Sequence, residues 1–257
     1  MNSIDPREKR KKMIPEPKGM RFLTGSTDIL VIAPHGPVIN RDYQNDIRTG
    51  IIAEELHKQL GCCAIINDRF FKPKGNITKD AAKYFLDLYR IDHAGKIPGY
   101  LEQIRRIVES EGKTLVIWIH GIADDVAAEQ GLLHCELDLF QGKSSDLHAL
   151  IGFGQGGDPK TGEQRDWLSA RPATVEEFAY QLTSGGINTV PTWKEGANFR
   201  GRDAKRLNQW FNQLGHGFAT VESMQLEIKE KGFRDSDANA RKTAQIIAGA
   251  LAAMRRE

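Results

Sequence analysis

The sequence predicts an α/β fold, a three-layer α/β/α arrangement whose central sheet is mainly parallel or mixed. Three observations predict it. Short continuous apolar runs recur along the chain, amphipathic stretches of helical period fall between them, and glycine, proline or a capping residue marks many of the boundaries. Unbroken apolar runs suit strands buried on both faces. Their alternation with helices implies parallel βαβ units with helices on both sides of the sheet.

The elements follow in order. Asp28 to Ala33 (DILVIA) reads as a buried strand ending in Pro34-His35-Gly36-Pro37. From Asp46 to Leu60, the residues Ile47, Ile51, Ile52, Leu56 and Leu60 keep helical spacing, and Gly61 is a natural stop. Cys62 to Ile66 reads as a second strand, and Ala81 to Leu88 as a helix. Pro98 opens a helix striped by Leu101, Ile104 and Val108 that ends near Gly112. Thr114 to Ile119 is a third buried strand, running into His120-Gly121, and Leu147 to Phe153 a fourth. Gly154 to Arg171, rich in Gly, Asp and Lys, reads as a long loop of the kind that often carries function. Val175 to Leu182 is a helix and Ala219 to Ile228 a strand. Asp235 or Ser236 caps a last helix reaching about Met254.

The bulk numbers exclude several classes. Of 257 residues, 40 % are apolar and 27 % charged, and the formal net charge is +2, which points neither to nucleic acid nor to a membrane surface. No apolar run is long enough to span a bilayer. Residues 1–20 form a basic tail with Arg7, Lys9, Arg10, Lys11 and Lys12. No apolar stretch follows that would make it a signal peptide, so it reads as solvated and mobile. Residues 21–257 then form a single α/β domain. The three cysteines, Cys62, Cys63 and Cys135, have no disulfide-framework spacing, and a cytoplasmic location fits them. The sequence is compatible with a homo-oligomer.

The chemistry lies in a repeated pattern. Leu30-Val31-Ile32-Ala33-Pro34-His35-Gly36 and Leu115-Val116-Ile117-Trp118-Ile119-His120-Gly121 each run a buried strand into a histidine followed by glycine. Ligands of open α/β sheets bind outside the carboxyl ends of the strands, so two such histidines can converge. Glycine lets the chain turn so that the imidazole faces the crevice. Neutral imidazole is a good zinc ligand, and a catalytic zinc takes three protein ligands and keeps one position open. The plain alternative is that each histidine ends its strand and bonds nearby backbone. The third piece is Ser223-Met224-Gln225-Leu226-Glu227-Ile228, where alternation sets Met224, Leu226 and Ile228 on one face and Gln225 and Glu227 on the other. A carboxylate in so apolar a strand is costly unless paired or metal-linked. It is either the partner of an arginine (Arg200, Arg202 or Arg234) or a general base. His57, His93, His134, His148 and His216 lack the strand-end context, although His93 in Tyr89-Arg90-Ile91-Asp92-His93 could line a site.

The ordered set Ala33-Pro34-His35-Gly36, Ile119-His120-Gly121, Asn198-Phe199-Arg200-Gly201 and Met224-Gln225-Leu226-Glu227-Ile228 resembles the N-formylglutamate amidohydrolases of the zinc-dependent carboxypeptidase-like superfamily. The resemblance spans about Asp28 to Arg234 and implies a phosphorylase/hydrolase-like, zinc exopeptidase-like fold. It implies that His35 and His120 hold Zn2+, that Glu227 is the general base, and that Arg200 binds a substrate carboxylate through its planar guanidinium. A surface ion pair is the plain reading of Arg200. Relatives supply an acidic metal ligand shortly after the first histidine. Here Asn40 stands where Glu is expected and Asp42 follows, so the third ligand is Asn40 or Asp42. The implied activity is zinc-dependent hydrolysis of a linear amide C–N bond in an N-acylated amino acid or small acidic amide. Two alternatives remain: a carboxypeptidase, γ-glutamyl or cell-wall peptide hydrolase of the same superfamily, and an inactive binding protein on this scaffold. No Gly-x-Ser-x-Gly elbow supports a serine hydrolase.

Overall fold

The structure is a computed structural model that describes residues 19–35, 46–70, 86–112, 114–136, 146–154, 168–192, 205–214 and 220–255. In chain order its elements are β1 (Met20–Leu23), β2 (Ile29–Ala33), α1 (Thr49–Leu60), β3 (Cys63–Asn67), α2 (Ile91–Ala94), α3 (Tyr100–Glu111), β4 (Leu115–Ile122), α4 (Asp124–Glu136), β5 (Ala149–Gly152), α5 (Pro172–Ser184), β6 (Thr189–Pro191), α6 (Trp210–Gln213), β7 (Glu222–Lys229) and α7 (Asp237–Met254), with a 3-10 turn at Leu207–Gln209 before α6.

Among the described residues, seven strands form one mixed sheet in the order β1-β3-β2-β4-β7-β5-β6. The central β3, β2, β4 and β7 run parallel, while β1 is antiparallel to β3 and β5 to β7. Alternating side chains feed two cores. On one face Val31, Ile117, Ile119, Met224, Leu226 and Ile228 pack under Leu56 of α1, Phe178 of α5 and Ile247 of α7. On the other, Leu30, Ile32, Val116 and Trp118 meet Tyr100 and Ile104 of α3 together with Leu207 and Phe211. These are the three layers read from the sequence, and no described helix is long and apolar enough to cross a membrane.

The local signals explain most boundaries. Gly61 and Gly112 close α1 and α3 with φ of 62° and 63°, where L residues are strained. Ser236 opens α7 by accepting the backbone N–H of Asn239 at 3.1 Å, a cap worth about 1 kcal/mol. Pro172 starts α5, its fixed φ suiting the first turn.

The structure departs from or adds to the sequence reading at four places. The strand expected to end at Ile119 continues as β4 through His120 and Gly121 to Ile122, because β7 pairs with it as far as Ile122 opposite Lys229. Helix α4 has no clean apolar stripe to announce it: Leu132 is 58 % exposed while Gln130 is buried. The short edge strands β1 and β6 were too brief to register, and β1 begins at Met20, the last residue assigned to the tail. Of the helix expected over Ala81 to Leu88, only Leu86, Asp87 and Leu88 are described, and they are not helical. The expected loop over Gly154 to Arg171 lies mostly outside the described residues.

Candidate metal centre

The three strands that matter are consecutive neighbours, β2, β4 and β7, all parallel. Their carboxyl ends therefore share one edge. His35 lies two residues past β2, and His120 and Glu227 lie near the ends of β4 and β7 as direct register partners. Parallel register partners leave the sheet on the same face. His35 is 1 % exposed, His120 2 % and Glu227 6 %.

The two imidazoles meet. Their Nδ1 atoms are 3.2 Å apart and their rings lie edge to face at 4.8 Å. The third member is Asp46, just before α1, whose Oδ2 lies 2.8 Å from His35 Nδ1 and 3.1 Å from His120 Nδ1. Thr49 fixes the approach of both chain segments: its hydroxyl donates to the carbonyls of His35 (3.0 Å) and Asp46 (2.9 Å). The sequence reading did not single out Asp46. It stands eleven residues beyond His35, and spacing alone could not choose it over Asp42. Asn40 and Asp42, the sequence candidates for the third ligand, lie outside the described residues, as does Arg200.

A second ring of groups holds the first. His35 Nε2 donates to Asp87 Oδ1 at 2.8 Å, and Asp87 also accepts the backbone N–H of Tyr89 (3.1 Å) and Arg206 Nη1 (2.7 Å). The backbone N–H of Asp87 donates to His93 Nδ1 at 3.0 Å, so His93 supports the loop that carries Asp87. Tyr89 stacks edge-on against His120 at 4.4 Å and donates its hydroxyl to Gln225 Oε1 at 2.7 Å. Gln225, two residues before Glu227 on the same face, thus ties the aromatic wall to β7.

The electrostatics favour a cation. Burial depresses the pKa of His35, but the adjacent Asp46 carboxylate, followed by Asp87, more than reverses this and leaves it raised. Burial pushes Asp46 the other way, and the charge of His35 and the bond to His120 bring it well below the usual carboxylate range. The carboxylates of Asp46 and Asp87 thus stabilise positive charge at His35. The geometry fits too. Tetrahedral bonds of about 2.0–2.1 Å to zinc would set donor atoms roughly 3.3 Å apart, and those of His35, Asp46 and His120 lie within 4.8 Å of one another. Among the described residues, one carboxylate and two nitrogens would supply the three protein ligands of a catalytic zinc site. Asp87 on His35 completes the carboxylate–histidine pairing common behind metal-bound imidazoles.

The plain readings fare differently for different residues. His35 and His120 point their Nδ1 atoms at each other and at a carboxylate. Arg234, one of the arginines offered as a partner for Glu227, gives its three guanidinium hydrogen bonds to backbone carbonyls. Gly121 has another role than the expected sharp turn: a Cβ there would come within 2.3 Å of the Arg234 guanidinium carbon. Cys62 and Cys63 are buried in the core, as read from the sequence.

No protein-family model matches the chain, and no curated protein sequence does. Solved structures resemble it. An N-formylglutamate amidohydrolase from Ralstonia eutropha JMP134 superposes with a TM-score of 0.53 at 12 % identity, over 93 % of this chain and 98 % of that one. A gene product of Agrobacterium tumefaciens gives 0.52 at 9 % identity over 93 % and 96 %. A presumed carboxypeptidase from Burkholderia mallei ATCC 23344 gives 0.51 at 15 % identity; the chain spans 59 % of its length. At such identities the likeness is one of fold: this chain has the α/β architecture on which those proteins are built.

Proposed function

We propose that the chain is a metal-dependent hydrolase of linear amide C–N bonds that acts on an N-acylated amino acid or a small acidic amide. The observation that carries the proposal is the convergence of His35 Nδ1, His120 Nδ1 and Asp46 Oδ2, all within 4.8 Å of one another, at the carboxyl ends of three adjacent parallel strands. His35, His120 and Asp46 would hold the ion, with zinc the metal that suits two imidazoles and a carboxylate. Once bound, the ion supplies Lewis-acid polarisation of the amide carbonyl and lowers the pKa of an adjacent water.

The chain's own groups supply the rest. Glu227, beside His120 on the same face, accepts a proton as a water oxygen bonds to the carbonyl carbon. It returns that proton to the nitrogen as the C–N bond breaks, so that an acid and an amine leave. Asp87 holds the His35 ring through Nε2, and Tyr89 holds the His120 ring by its face. Arg200 is the residue assigned to the substrate carboxylate, by resemblance. The N-formylglutamate amidohydrolase among the fold neighbours supports the choice of a small acidic substrate, and the presumed carboxypeptidase keeps a peptide substrate in view.

The test is a screen of purified, zinc-loaded protein against N-formyl, N-acetyl and γ-glutamyl amino acids, with a chelated sample alongside. Hydrolysis of one class that disappears on chelation is the expected result. A protein that takes up no zinc and cleaves none of these amides would overturn the proposal.

A further inference from the structure

Behind the metal centre, on the opposite face of the sheet, lies a buried arginine that the proposed chemistry does not use. Arg234 is 3 % exposed. Its Nε donates to the carbonyl of Ile228 at 2.8 Å, its Nη1 to that of Ile47 at 3.1 Å and its Nη2 to that of Ile122 at 3.0 Å. These carbonyls come from three separate parts of the chain, and each neighbours a residue of the centre. Ile228 follows Glu227, Ile47 follows Asp46, and Ile122 is two residues past His120. One rigid, planar fork thus sets the relative positions of β4, β7 and the segment entering α1.

Two further features lock this arrangement. Gly121 is the floor on which the guanidinium lies, since any Cβ there would collide with its carbon and both terminal nitrogens at 2.3–2.7 Å. Arg48, two residues from Asp46, is held at φ 64°, the only positive φ of a non-glycine residue among those described. It donates from Nη1 to the Arg234 carbonyl at 3.2 Å and from Nε to Asp237 at 2.7 Å. A strained backbone persists where its surroundings over-determine it. Burying a cation on carbonyls alone is an expensive way to fill space that an apolar side chain would fill.

We infer that Arg234 is a positioning residue for the metal centre: with Gly121 beneath it, it fixes the spacing of Asp46 against His120 and Glu227. The inference rests on the metal reading above. A displacement of Asp46 by a fraction of an ångström costs little folding energy and much affinity, because the ion demands all three donors at once.

The experiment measures zinc affinity, by competition with a chelating dye, on the full-length wild type and on Arg234→Met, Arg234→Lys and Gly121→Ala, each checked for native circular dichroism. Urea unfolding of the metal-free proteins runs in parallel. Arg234→Met should weaken zinc binding about 10- to 100-fold. Arg234→Lys should fall between it and the wild type, since an ammonium cannot span all three carbonyls. Gly121→Ala, which displaces the guanidinium without removing it, should reproduce the loss. If Arg234→Met does not fold, the milder lysine and alanine variants carry the test. Wild-type zinc affinity in the folded variants, with only the urea midpoint lowered, would make Arg234 structural and overturn the inference while leaving the metal centre standing. A wild type that binds no zinc would overturn both.

Discussion

His120 and Glu227 are register partners across the parallel β4–β7 ladder, and their side chains leave the sheet on the same face. The imidazole proposed to hold the metal and the carboxylate proposed as the base, fixed side by side in this way, need no loop to bring them together. The division of labour between them is testable. Glu227→Gln should keep zinc at wild-type stoichiometry and lower turnover by about 10² to 10⁴, the range for loss of a positioned general base. Elemental analysis and a steady-state assay on the same preparation read both numbers. Full turnover in the variant would remove Glu227 from the reaction.

Asp46 makes the sharpest prediction about the metal. Its Oδ2 lies within 3.1 Å of both histidine Nδ1 atoms, and neutralising it removes the one negative charge among the three donors. Asp46→Asn should weaken zinc binding by at least roughly 100-fold, beyond the 10- to 100-fold typical of outer partners. Asp42→Asn should leave affinity within a few-fold of the wild type. Dye-competition titrations decide between them, and the reverse ranking would return the third-ligand role to Asp42.

The sequence carried the sheet and the two histidines because both are local signals. Val31, Ile32, Ile117 and Ile119 are unbroken apolar strands, and the repeated strand-His-Gly pattern is visible without any fold. Asp46, Asp87 and Tyr89 were not legible in this way. Each lies in an irregular segment, and what brings it to the centre is the β2-β4-β7 strand order, which depends on pairings between residues far apart in the chain. Gly121 shows the same limit in reverse. Its presence was noted, but the reason for it, the Arg234 guanidinium 113 positions later, exists only in three dimensions. Helix α4 stayed hidden because its buried positions include Gln130 and Gly131 while Leu132 faces solvent.

Asp87 tests how far the support of the centre extends. It accepts from His35 Nε2 and from Arg206, and an asparagine there keeps an acceptor for the imidazole but loses the charge. Asp87→Asn should cost about 10- to 100-fold in metal affinity or turnover, with the fold intact by circular dichroism. The measurement is zinc affinity beside kcat. Unchanged values of both would show that His35 is oriented by its own packing and not by the carboxylate.

Glu222 opens β7 at the end of the sheet remote from the metal centre, and it makes a prediction about stability alone. Its carboxylate accepts Nε, Nη2 and the backbone N–H of Arg171, all at 2.9 Å, and so also tethers the start of α5. Burial works to raise its pKa, but the Arg171 bonds outweigh that and leave it lowered. A carboxylate whose folded pKa lies below its unfolded value of about 4.3 contributes stability above that value. The contribution disappears as pH falls through the folded pKa. Glu222→Gln should therefore lower the unfolding free energy by about 1.5–3 kcal/mol at pH 7, the range for hydrogen bonds to a charged group. The gap should hold at pH 5 and shrink below about pH 4.3. Urea unfolding of metal-free wild type and variant at pH 7, 5 and 3.5 reads the difference directly, and zinc affinity at pH 7 should not change. A gap that stays constant to pH 3.5, or widens there, would mean that the ionised carboxylate is not what ties β7 to α5.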